Sequence, residues 1–173
     1  MSAAGMTARA RLAWTNAALA ALLAVLGYIA VGLLSGAGLA AWHRNAGASL
    51  SIAPAAAMAA GLASWWITAW WENVDRDARR WSAFGLALRT VACAFLLFAP
   101  LATLWMGTME ALGHLFSGQA GELRAALAWV PAIAVYAVLF GLLLGGLPAL
   151  CVEFFLCRRF LRQARGLALE GAR

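Results

Sequence analysis

The chain has 173 residues, of which 65% are hydrophobic and only 12% charged, and its net charge is +6. A soluble domain of this size cannot bury so much apolar surface, so the composition excludes an ordinary water-soluble fold and demands lipid around the chain. All 13 basic residues are arginine and they gather at the ends of apolar runs, a placement that serves membrane orientation and anionic headgroups and argues against nucleic acid as a partner.

Residues 1–11 carry Arg9 and Arg11 ahead of a long apolar run, like the n-region of a signal peptide. The run is too long for a cleavable segment and ends in no small-residue cleavage site, which predicts a retained first span over about 12–40. Trp14 and Trp42 flank it, and Gly32 and Gly36 form a small-xxx-small pair within it. Residues 42–51 (WHRNAGASLS) read as a polar turn, with Ser51 as N-cap and Pro54 in the first turn of a second span over about 52–71. Ala57, Gly61 and the alanines around them give that helix a face on which another backbone can approach closely.

The stretch Ser64–Trp81 then leaves and re-enters the bilayer. Trp65, Trp66, Trp70 and Trp71 close one apolar run, charged residues follow, and Trp81 opens the next. Tryptophans at the headgroup level and arginines beside them mark a cytoplasmic boundary. The third span runs over about 81–108, with Pro100 inside it and Trp105 near its end. Residues 109–126 are too polar to span and read as a short interfacial helix on the outer side. The fourth span, about 128–155, begins at Trp129, carries Gly141 and Gly145 as a GxxxG pair, and has Pro148 as an expected bend. Beyond it, Arg158, Arg162 and Arg165 face one way and Leu156, Phe160 and Leu167 another, as in an amphipathic helix lying on the membrane surface.

Ten arginines fall before span one, between spans two and three, or after span four, and two (Arg44, Arg124) fall on the opposite side. That asymmetry places both termini in the cytoplasm of a bacterial inner membrane. The expected fold is an all-α membrane protein, a single domain over 1–173 built as a four-helix transmembrane bundle.

Arg89 is the charge that the asymmetry leaves inside the membrane. A charged side chain there costs about 2.5–3.5 kcal/mol on insertion scales, so it snorkels or finds a partner. Glu153, near the cytoplasmic end of the antiparallel fourth span, lies within combined reach, which makes Arg89 and Glu153 a candidate buried ion pair for an anionic substrate. Snorkelling of Arg89 to phosphates is the commoner outcome for long side chains near helix ends. Glu72, Asp75 and Asp77 form an acidic loop whose arginine neighbours can balance it locally, and a solvated salt-bridged turn outweighs a Mg²⁺ site there.

His43 and His114, the latter one helical turn from Glu110, are too few for a metal centre, and no cofactor is implied. Three cysteines without a CxxC pair support neither a disulfide framework nor a redox site. Nucleophile elbows, HExxH and phosphate-binding loops are all missing from the sequence, which leans away from an enzyme. The small-residue helix faces point first to an accessory or scaffolding subunit of a larger membrane complex, or to a homo-oligomer. A small transporter or lipid flippase using Arg89 and Glu153 is the alternative.

Overall fold

In the computed structural model, residues 7–34, 42–76, 81–117, 135, 139 and 145–170 are described. They form four helices: α1 (Ala8–Leu34), α2 (Trp42–Arg76), α3 (Ala83–Ser117) and α4 (Gly146–Glu170). The segments Ala8–Gly27, Ile52–Asn73 and Ala83–Met109 are long and apolar enough to cross a membrane. Their outward faces carry Trp66, Leu96 and Leu104, large apolar side chains that water would not tolerate together and that lipid accepts. Three such helices make this a membrane protein. The greater part of the expected fourth span, including Trp129 and Gly141, lies outside the described residues.

Alanine and leucine, both strong helix formers, dominate the four segments. Two of the helices start on side-chain caps. The Thr7 hydroxyl accepts from the Ala10 amide at 3.2 Å, and the Ser82 hydroxyl accepts from the Gly85 amide at 3.0 Å, each satisfying an amide that the helix itself cannot.

Several expected boundaries are corrected. Residues 42–51 are not a turn: α2 begins at Trp42, and Ser51 and Pro54 both sit inside it. Low hydropathy reports contact with water, not a break in the backbone, and Pro54 removes only one ladder hydrogen bond before the alanine run resumes. For the same reason no separate interfacial helix starts at Met109, since α3 continues to Ser117 and passes through Pro100. Pro148 lies two residues into α4, just after the π-helical Gly145. The arginine-rich tail is a continuation of α4, and its Phe160 and Leu161 are buried in the protein.

Each helix packs on the next, and α4 closes back on α1. Leu12 near the start of α1, Ile67 and Trp71 near the end of α2, Leu86 near the start of α3, and Cys157 and Phe160 near the middle of α4 share one core, while Gly145 just before α4 lies nearest Phe95 further along α3. Successive helices therefore run in opposite directions. α1 and α2 approach closely: a Cβ built on Gly61 would stand 3.4 Å from the Ala17 Cβ and 3.7 Å from the Ala13 carbonyl oxygen. This is the close approach that small residues permit between membrane helices.

Candidate functional site

About one turn from that core, each of the four helices turns a polar side chain inward. They are Asn16 on α1, Ser64 on α2, Thr90 on α3 and Glu153 on α4, all buried. Asn16 is the link. Its Nδ2 donates to Ser64 Oγ at 2.6 Å and to the Glu153 carboxylate at 2.9 Å. Glu153 also accepts from the Cys157 thiol at 3.3 Å, one turn along the same face of α4.

The hydroxyls are otherwise occupied within their own helices. Ser64 donates to the Ala60 carbonyl at 2.7 Å, Thr68 to the Ser64 carbonyl at 2.6 Å, and Thr90 to the Leu86 carbonyl at 3.0 Å. This back-bonding is how serine and threonine become tolerable inside apolar helices.

The polar group closes one end of a cavity of about 440 Å³. Asn16, Ser64, Thr90 and Glu153 line that end, and the remaining walls are small or apolar, with Ala24, Gly27, Ala56, Ala59, Phe95 and Phe98 among them. All four helices contribute. Glu153 is only 7% exposed, and among the described residues no arginine pairs with it; the one ion pair there joins Arg9 to Glu72 at 3.8 Å. A buried carboxylate without a cation is expensive, and its two hydrogen-bond donors offset only part of that cost. Asn16 is 4% exposed, and its Oδ1 has no hydrogen-bond partner among the described residues.

The structure does not join Arg89 to Glu153. Arg89 is exposed, lies over the Trp81 ring at 4.4 Å, and donates to the Gly85 carbonyl at 2.9 Å. Neighbouring helix positions differ by about 100°, so when Thr90 turns inward Arg89 is carried to the outer stripe that it shares with Gly85. Nor does Glu153 meet Arg158 or solvent.

The tryptophans also divide. Trp14 (70% exposed), Trp65, Trp66 and Trp70 face outward, and Trp70 meets the half-buried Trp81 edge to face at 5.2 Å between centroids. Trp71 is corrected: it is 6% exposed and packs edge to face on Phe160, so it is a core residue and not an interface anchor. Arg9 lies over the Trp65 ring at 3.8 Å and donates to the Trp65 carbonyl at 3.1 Å, tying the start of α1 to the end of α2.

Trp105 is half-buried, and its indole Nε1 has no hydrogen-bond partner among the described residues. Ala57 is half-buried on α2, and the nearest side chain to a Cβ on Gly145 would be Phe95 at 3.9 Å. The side chains of Trp42, His43, Asp75, Glu110 and His114, the surroundings of Gly32, and residues Gly36 and Asp77 lie outside what the structure describes.

Sequence reasoning fixed on charges and passed over Asn16. The signal was present: it is an asparagine within the apolar run of the first span, and polar groups at membrane depth are functional candidates by default. No protein-family model, curated protein or solved structure matches the chain.

Proposed function

We propose that the protein is a membrane-embedded carrier that holds a small amphipathic molecule between its four helices. The observation that carries this reading is the cavity, which combines a single polar end with otherwise apolar walls and has a volume of about 440 Å³. Small-molecule sites in proteins have this form, mostly apolar with a few convergent polar groups, and span about 300–1,000 Å³. The transporter alternative survives here without its anion, because Arg89 lies on the outer face. The accessory-subunit reading draws less support, since Gly61, part of the face that motivated it, is taken up by α1.

The proposal also sets the carrier in a bacterial inner membrane with both termini inside, supported by the distribution of arginines. Reporter fusions at each terminus test that orientation.

For the carrier itself, the protein in decyl maltoside micelles is offered decylamine, decanol or decanoate, and bound molecules are counted by native mass spectrometry. At least one probe is expected to bind one-to-one, and Ala94→Phe, which fills the cavity wall, should abolish it. Absence of binding by all three, or binding unaffected by Ala94→Phe, overturns the carrier reading. A stoichiometric heterologous protein retained through purification would favour the accessory-subunit reading instead.

A further inference from the structure

Resting on the carrier reading, we infer that the molecule held is a cationic amphiphile, its ammonium group seated between Glu153 and Asn16 and its apolar body extending along the alanine- and glycine-lined cavity.

The inference comes from counting donors and acceptors at the polar end. The hydroxyl protons of Ser64 and Thr90 are committed to the Ala60 and Leu86 carbonyls. Asn16 Nδ2 spends both of its hydrogens on Ser64 and Glu153. What is left over is accepting capacity: the Asn16 Oδ1, buried and without a partner, and a Glu153 carboxylate that receives only an amide N–H and a weak thiol donor.

Among the described residues, no arginine or histidine lines the cavity. An anion entering here would meet a carboxylate and a bare carbonyl oxygen, and nothing would offset its loss of water. An alcohol could satisfy Oδ1 but would leave the buried carboxylate without a counter-charge. An ammonium group supplies up to three N–H donors and the missing positive charge together, and charge-assisted hydrogen bonds are the strong ones. Intramembrane carboxylates commonly mark such cation sites. The walls set the shape of the rest, because alanine and glycine on α1 and α2 leave room for a slender apolar body and offer it no polar contact.

The same decyl probes test the head group. Decylamine should bind most tightly, decanol more weakly and decanoate least. Glu153→Gln, which keeps the side-chain shape and the Asn16 contact, should weaken decylamine about tenfold or more while leaving decanol nearly unchanged. Glu153→Asp keeps the charge at shorter reach and should lie between, which separates a lost charge from a misfolded site.

Phosphatidylethanolamine and phosphatidylglycerol, added in turn, identify the source of the ammonium. Displacement of decylamine by the former alone assigns it to a lipid headgroup, and displacement by neither assigns it to a free amine. Displacement by phosphatidylglycerol, equal binding of decanoate and decylamine, or decylamine binding unchanged in Glu153→Gln overturns the cationic head while leaving the carrier standing. Failure of all three probes overturns the carrier itself.

Discussion

Two neighbouring levels of the same helices are built in opposite ways. At one end Leu12, Ile67, Trp71, Leu86, Phe160 and Leu161 fill the space between the helices with large side chains. Two to three turns further in, beyond the polar group, the inward positions become Ala20, Ala24, Ala56, Ala59 and Ala60, and a cavity opens. The small residues explain both close contact and emptiness. On the line between α1 and α2 they let the helices approach closely at Gly61, and on the side facing α3 and α4 they leave volume that no described side chain fills. Packed membrane proteins gain little from burying apolar groups away from lipid, so contact density decides which level holds the bundle together. The filled end is the clamp, and the hollow level is free to serve a ligand.

The largest expected effect separates these two levels directly. Phe160→Ala removes a buried ring that packs edge to face on Trp71 at 5.4 Å and should cost up to about 3–5 kcal/mol. Phe98→Ala removes a ring of the same size from the cavity wall, where one side already lacks contacts, and should cost less than half as much. Unfolding midpoints in mixed micelles measure both. Equal losses would show that the hollow level carries as much of the fold as the filled one.

Gly61 tests the boundary between close contact and emptiness. An added methyl would stand 3.4 Å from the Ala17 Cβ, an ordinary contact, and alanine relieves the entropy cost of a helical glycine. Gly61→Ala should therefore be neutral or stabilising by up to about 0.5–1 kcal/mol. Gly61→Leu has nowhere to go without parting α1 from α2, and a loss of about 1–3 kcal/mol is expected from overpacking. Thermal midpoints of the two variants, measured side by side, give the sign of each change. A tolerated leucine would mean that the helices separate freely at this level.

The same contrast explains what could be read in the sequence. Long apolar runs forecast the helices because membrane spans are marked by length and composition. Their ends are less legible at residues 42–51 and 109–117, where polar side chains signal water while the backbone stays helical. Facing was harder. Trp70 and Trp71 are adjacent in an identical chemical context, yet one is exposed and the other lies in the core. The stripe of Ala60, Ser64, Thr68 and Trp71 carries that information at helical spacing, but a boundary reading groups all the tryptophans together. Glu153 stood out as a carboxylate inside an apolar run, whereas Asn16, uncharged, drew no attention although it ties three of the helices together.

Arg89 offers the smallest expected effect and the sharpest distinction between inner and outer surfaces. Its guanidinium lies over Trp81 and caps the Gly85 carbonyl on the exposed side of α3, while Thr90 beside it lines the cavity. An exposed cation–π contact contributes about 0.5–1 kcal/mol, and a leucine facing lipid recovers part of that through its own packing. Arg89→Leu should thus shift the unfolding midpoint only slightly and leave decylamine binding as it is in the unaltered protein, whereas Glu153→Gln removes most of it. If Arg89→Leu instead abolished binding, the arginine would have to reach the cavity in the working protein. The carboxylate would then have a partner in the chain itself, and the case for a cation supplied by the ligand would disappear.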